Sequence, residues 1–340
     1  MNNEDPNSKT ATTARGLRLH ANAPSYDTIK LPIEMHPLRP LRPGEVLVEI
    51  HAAAVNPADA KAATGLMPYA VFPRTPGRDF AGQVVAGPQE LAGKLVFGSS
   101  GDLGIRQDGS HASHMIVEAD AVVAVPDGID IKAAAGIGVP FVTAWKGLDR
   151  AGLPEAGETV LILGLNGKVG QAAAQIATWR GARVIGVVRR DEPYQGHTNA
   201  PIEVIAADRT DVPARVRELT GGKGAAIVYN TVGDPFYEIG QKSLAVGGRA
   251  IFIAAVDRFV TFDLLAFYKG QHTYVGIDTI SLSSVETGAI LKQLAPGFAA
   301  GKLKPFPILP SATYSFENAY DAYQAVMASS RDRIVLVPGA

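Results

Sequence analysis

Two rhythms of apolar and polar residues divide this chain. From residue 159 onward, apolar residues cluster in short, mostly apolar runs at 159–163, 182–188, 202–206, 225–232, 249–254 and 273–278. Between them lie mixed stretches with helical character, such as 211–220 and 234–243. Strands that are apolar throughout and alternate with helices predict a parallel sheet covered on both faces, and six of them make a complete doubly wound α/β fold. Before residue 140 the pattern changes. Short β-like runs at 44–53, 80–86, 94–98, 112–117 and 121–125 are separated by Gly and Pro clusters such as Pro73-Arg-Thr-Pro76-Gly77. That pattern predicts an antiparallel, barrel-like domain. Residues 131–150 turn helical. After 281 the chain reads as a helix to about residue 300, a Pro-rich strand-like stretch at 304–314, a helix at 316–328 and a last strand at 333–338. This tail is too long for a loop and is expected to fold back on the first domain. The expected organisation is therefore a β-rich domain from 15–139 and 281–340, a parallel-sheet domain from 140–280, and a disordered N-terminal tail over 1–14.

The first parallel run ends in Gly164-Leu-Asn-Gly167-Lys-Val-Gly170 and passes straight into a helix former, Gln171-Ala-Ala-Ala-Gln175. Glycines between a strand and a helix allow a tight turn and a close backbone approach to a diphosphate, whose charge suits the exposed N–H groups and the helix dipole. A plain strand–helix turn gives the same pattern without a ligand. The next run follows after one helix, completing a βαβ unit of ~30 residues, so a dinucleotide is expected. An acid commonly stands at the tip of the second strand to hold a ribose 2′-hydroxyl, whereas a basic residue accommodates a 2′-phosphate. Here the strand ends Val187-Val188-Arg189-Arg190. Guanidinium groups match phosphate, so NADP(H) is expected over NAD(H). The alternative is a solvated arginine pair partly neutralised by Asp191 and Glu192. Lys168 either adds positive charge near the phosphates or is an exposed lysine at the first helical position.

Composition narrows the classes. The chain has 340 residues, 46% apolar and 19% charged, with a formal net charge of −1 and no cysteine. It is globular, long enough for two domains, and gives no reason to expect nucleic acid or an acidic membrane as partner. Disulfides, thiolate nucleophiles and cysteine-based zinc sites are excluded. Residues 1–14 have neither the apolar core nor the arginine run of a targeting segment, and no apolar window approaches the ~18 residues of a membrane span. A cytoplasmic location is expected.

Several segments belong together in order and spacing: Ala53-Ala-Val-Asn56-Pro-Ala-Asp59, Pro76-Gly-Arg-Asp79-Phe-Ala-Gly82, Gly109-Ser-His-Ala-Ser-His-Met115, Val139-Pro-Phe-Val-Thr143-Ala-Trp145, the glycine turn, and 219–233. In order and spacing they resemble the zinc-independent branch of the medium-chain dehydrogenase/reductase superfamily, its quinone oxidoreductase group, over residues 15–338. The resemblance implies a Rossmann-type parallel sheet plus a discontinuous GroES-like β-rich catalytic domain. Zinc-dependent relatives hold their metal with two cysteines and the histidine of a Gly-His-Glu segment. That segment here reads Gly77-Arg78-Asp79. His111 and His114 sit three apart on a predicted strand and face opposite sides, so no metal site is expected. Without a Lewis acid, the chemistry suits hydride delivery to an acceptor with its own electron sink, a quinone or an α,β-unsaturated carbonyl.

The resemblance also implies site residues. Asn56 is expected beside the nicotinamide ribose and substrate, and Asp59 to be mainly structural; the alternative is a turn at Asn56-Pro57 with Asp59 capping a helix. Thr143, Gly164, Asn166, Gly167, Lys168, Val169, Gly170, Thr231, Val232, Gly233, Ile253, Ala254 and Ala255 are implied cofactor contacts, with Arg189 and Arg190 for the extra phosphate, aided by Arg209. Arg333 either reaches the cofactor or forms a surface salt bridge. Related enzymes carry tyrosines where Lys61 and Met67 stand. Lys61 and Tyr69 are the candidates to donate a hydrogen bond or proton to the acceptor, against an exposed lysine and a loop aromatic packed on the barrel. The expected function is an NADPH-dependent quinone reductase. The alternatives are an NADPH-dependent reductase of enones, enals or enoyl thioesters, and a cofactor-binding sensor with little turnover. A homodimer is expected, joined through the edge strand near 273–278.

Overall fold

A computed structural model describes residues 11–339. Strands β1 (Thr13–Leu17), β2 (Ile33–Pro37), β3 (Glu45–Ala54), β4 (Asp79–Ala86), β5 (Leu95–Ser99), β6 (His114–Glu118) and β7 (Val123–Ala124) come first. Strands β8 (Thr159–Leu163), β9 (Arg183–Val188), β10 (Glu203–Ala206), β11 (Ala225–Asn230), β12 (Leu244–Phe252) and β13 (Thr273–Gly276) follow. Strands β14 (Thr313–Ser315) and β15 (Val335–Val337) close the series. Two compact units result. One takes the chain up to Val139, Ile280–Gln293 and the part from Pro305 on; the other takes Pro140–Thr279 and Leu294–Lys304.

In the β-rich unit the sheet runs β14-β15-β3-β4-β5-β7, with β6 also on β3. Its pairs are antiparallel except β14 with β15. Val46, Val48, Ile50, Phe80, Val84, Val96 and Val117 alternate inward along these strands and form one core. A second core gathers Leu17, Leu19, Val55, Phe316, Tyr323 and Leu336 around the helix Ala319–Met327. Residues 1–10 of the expected tail lie outside the described residues, but Thr13 and Ala14 do not belong to it. Ala14 is fully buried in β1, where Arg15 and Leu17 donate backbone hydrogen bonds to Ser113 Oγ and to the His111 carbonyl. Contacts that far apart in sequence leave no local signal. The strand-like reading of 304–314 shrinks to Thr313–Ser315. Pro305, Pro307 and Pro310 supply no N–H to a ladder.

The other unit holds a parallel sheet of order β10-β9-β8-β11-β12-β13. Chain progression moves outward from β8 to β10, then returns to β11 on the opposite side, so the switch point lies between β8 and β11. Leu161, Leu163, Ile185, Val187, Val216, Val228 and Ala250 fill one of its cores. Leu294–Lys304 belongs to this unit, a correction to the assignment of 281–340 wholly to the β-rich domain. Gln175 explains it, donating to the Lys304 carbonyl at 3.1 Å and accepting from the Lys304 amide at 2.8 Å.

Candidate functional site

Strand register brings the expected cofactor residues to one edge. Leu163 pairs with Val187 and with Asn230, Asn230 with Phe252, and Phe252 with Gly276. The segments after β8, β9, β11 and β12 therefore leave the sheet side by side at its carboxyl edge. They carry Gly164–Gly170, Arg189 and Arg190, Thr231–Gly233 and Ile253–Ala255. The three glycines of the turn do different work. Gly164 has φ +86, and a Cβ there would sit 2.4 Å from Thr231 Oγ1. Gly170 would place a Cβ 2.3 Å from the Gly164 carbonyl oxygen. Gly167 has φ −68 and is the N-cap of the helix Lys168–Trp179, with no side chain capping it. A glycine N-cap makes no side-chain hydrogen bond to the first turn, which suits an anion at this helix N-terminus. A phosphate group thus fits this turn.

The neighbouring turn is held from below. Thr231 Oγ1 donates to the Leu163 carbonyl at 2.7 Å. Asn230, buried, donates from Nδ2 to the Gly233 carbonyl at 2.8 Å, while its Oδ1 accepts from the amides of Val232 and Gly233 at 3.0 and 2.8 Å. An aspartate could not make the first of these bonds, which accounts for the amide at this position. Asp234 in turn accepts from the amides of Val256 and Asp257 at 2.7 and 2.8 Å, fixing the segment beside Ile253–Ala255. Arg189 and Arg190 are exposed just past the end of β9. Asp191 pairs with Arg209 at 2.6 Å, and Glu192 accepts from Asn166 Nδ2 at 3.3 Å. Thr143 is buried, its hydroxyl 3.4 Å from that of Thr279, and its carbonyl accepts from Tyr229 Oη at 2.7 Å.

In the β-rich unit the centre of interest is a buried ion pair. Asp79 Oδ2 accepts from Arg333 Nη2 at 2.7 Å and from Asn56 Nδ2 at 3.0 Å, and its Oδ1 accepts from the Val139 amide at 2.9 Å. Arg333 also donates to Asn56 Oδ1 and to the carbonyls of Val55 and Gly136, each at 3.0 Å. The side chains of Arg333 and Asp79 are 4% and 0% exposed. Arg333 is therefore not a surface salt bridge; its guanidinium points inward and four hydrogen bonds engage it. Asn56 is likewise 2% exposed, with both ends of its amide engaged. Asn56 precedes a helix, Pro57–Ala63, and Asp59 Oδ2 accepts the Asn56 amide at 2.8 Å. Burial pushes the Asp59 carboxyl up to about 7, against the pull of that hydrogen bond and of Arg78 and Arg333.

Lys61 is exposed on the helix Pro57–Ala63. Tyr69 is 41% exposed, and the Arg106 guanidinium lies 5.0 Å from its ring centre. The histidine pair does not share a strand: His114 begins β6, while His111 precedes it and is fully buried. His111 Nε2 lies 3.3 Å from the Ala54 carbonyl and Nδ1 lies 3.0 Å from Tyr323 Oη. A carbonyl only accepts, so Nε2 carries the proton and Nδ1 accepts from the tyrosine, leaving no lone pair for a metal. Burial lowers the His111 pKa to about 4, which keeps the ring neutral. Among the described residues no group of three or more His, Cys, Asp or Glu could hold a metal ion. The sequence alone assigns no role to Asp79 or to Asn230. The Asp79–Arg333 pair spans 254 positions, so no local spacing could announce it.

Residues 42–127 match the alcohol dehydrogenase GroES-like domain family, and 169–293 match the zinc-binding dehydrogenase family. A zinc-type alcohol dehydrogenase-like protein of Schizosaccharomyces pombe is 34% identical over 92% of this chain and 94% of its own length. The chain belongs to the medium-chain dehydrogenase/reductase superfamily. Human quinone oxidoreductase is 27% identical over 84% of the chain and 86% of its own length, which places this member in the quinone oxidoreductase-like group. The fold agrees with a crystal structure of Escherichia coli quinone oxidoreductase complexed with NADPH, at a TM-score of 0.77, 21% identity, and coverage of 95% of this chain and 100% of that one. This medium-chain member is thus an oxidoreductase with a Rossmann-type and a GroES-like unit. Zinc does not suit it. No cysteine is available, and the buried guanidinium of Arg333 already sits against Asp79, where a second cation would meet like charge.

Proposed function

We propose that this oxidoreductase transfers hydride from NADPH to a quinone without a metal. The observation that carries the coenzyme choice is the exposed pair Arg189 and Arg190 at the end of β9, beside the glycine turn. Each guanidinium offers a planar fork of donors to a 2′-phosphate. The relatedness to quinone oxidoreductases and the NADPH in the Escherichia coli structure support the same reading. When bound, the coenzyme supplies the hydride. The chain supplies the rest. Helix amides at Lys168–Gly170 receive the diphosphate, with Gly164, Asn166 and Gly167 leaving room for it. Thr231–Gly233, Ile253–Ala255 and Thr143 line the nicotinamide side. In the β-rich unit Lys61 and Tyr69 are the exposed donors that can hydrogen-bond the acceptor oxygen, and Asn56, held by Asp79 and Arg333, orders the backbone behind them.

Initial rates with NADPH and NADH against a panel of quinones and a panel of enones and enals test the reading. Turnover of quinones with preference for NADPH supports it. Preference for the C=C panel replaces the acceptor class, and tight NADPH binding without turnover of either panel replaces the enzyme with a sensor. We also propose a homodimer formed through the edge strand β13.

A further inference from the structure

Asp59 is the one acid of the buried cluster whose carboxylate is left half satisfied among the described residues. It is 1% exposed. Its Oδ2 accepts the Asn56 amide at 2.8 Å, while its Oδ1 has no hydrogen-bond partner. The charged groups facing it are Arg78, Asp79 and Arg333, together with Arg74, and the titratable phenol of Tyr323 also lies within its field. Arg333 is committed to Asp79, Asn56 and two carbonyls. Arg74 donates to the carbonyls of Gly104, Val71 and Ala62 at 2.7, 2.7 and 2.8 Å. An ionised carboxylate, buried with one oxygen bare and a second carboxylate close by, carries a much larger desolvation cost than the neutral acid.

We propose that Asp59 is a positioning residue held as a neutral carboxylic acid, and that its ionisation disturbs the Asn56–Asp79–Arg333 cluster. Loss of the proton sets a second negative charge beside Asp79 and draws Arg333 away from the Asn56 amide. The helix Pro57–Ala63, which carries Lys61, starts at Asn56, so the shift reaches it through the Asn56 side chain. Burial places this transition near neutral pH. The site would thus lose competence as the medium turns alkaline. The kinetic consequence rests on the proposed reductase activity; the protonation state does not.

The test is infrared spectroscopy of the full chain and of Asp59→Asn between about pH 5 and about pH 9, with thermal melts at the same values. The wild type should show a protonated carboxylic-acid carbonyl band that Asp59→Asn lacks and that fades through neutral pH. The sign of the stability effect is fixed by linkage. The folded pKa lies above the unfolded value near 3.8, so the contribution is full below that value and is lost as pH rises through about 7. The Tm of Asp59→Asn minus that of the wild type should therefore rise over this window and then level off. In turnover, kcat/KM of the wild type should fall above neutral, and the Asn variant should lack that limb. Absence of the carbonyl band, or parallel melting curves, overturns the proposal. A band with no matching kinetic limb overturns the positioning role. Failure of all turnover strikes the reductase reading instead, and the infrared arm still decides the protonation.

Discussion

Arg333 is a residue that chemistry makes hard to replace. Its guanidinium and the Asp79 carboxylate are both almost fully buried, so each charge depends on the other to offset lost hydration. Removing one partner strands the other, at a cost of about 3–5 kcal/mol. Arg333→Met, which preserves much of the volume, should lower the Tm of the purified protein by several degrees. A Tm within experimental error of the wild type would show that the pair is dispensable. The same residue illustrates what one sequence conceals. Arg333 read equally as a cofactor ligand or a surface cation, because nothing within ten positions of it hints at Asp79. Asn56 was read from its motif and lies in the expected motif turn, but the partners of its side chain come from β4 and from the approach to β15. Arg189 and Arg190 were legible because their meaning depends on position in one βαβ unit, a local fact.

At the scale of elements, the glycine turn separates packing from ligand approach. A methyl group on Gly170 meets the Gly164 carbonyl oxygen at 2.3 Å, a backbone atom that cannot step aside. At Gly167 the nearest atom lies at 3.3 Å and φ is −68, ordinary for any residue. Gly170→Ala should therefore destabilise the parallel-sheet unit by about 1–3 kcal/mol through overpacking. Gly167→Ala, whose methyl meets the same oxygen at 3.3 Å, should cost less stability than Gly170→Ala yet bind NADPH more weakly, since the new methyl stands at the N-cap. Equal coenzyme affinity in Gly167→Ala and the wild type would place the phosphates elsewhere. Apolar runs and this turn made the parallel sheet and its six strands legible. The pair β1 and β2 and the helix Leu264–Lys269 were not, because short elements in loop-like sequence are specified by distant partners rather than by period.

For the whole molecule, most of the exposed large apolar side chains of the parallel-sheet unit gather on one stretch. Val256 and Phe259 are 80% and 83% exposed, followed by Leu264, Leu265 and Tyr268. Strand β13 at the sheet edge follows that stretch directly and, among the described residues, leaves one row of backbone groups without a sheet neighbour. Sedimentation should give twice the chain mass, and Phe259→Asp with Leu264→Asp should shift it to the monomer; a monomeric wild type would remove the dimer. None of the helices among the described residues is long and apolar enough to cross a membrane. The proposed function requires NADPH at the carboxyl edge of the sheet with its 2′-phosphate held by arginines. Fluorescence titration of NADPH and NADH into the wild type and into Arg189→Ala/Arg190→Ala tests this most directly. Losing two charge-assisted contacts of about 1.5–3 kcal/mol each should weaken NADPH binding by at least about a hundredfold and leave NADH within about twofold. Equal weakening of both coenzymes, or none of either, would contradict it.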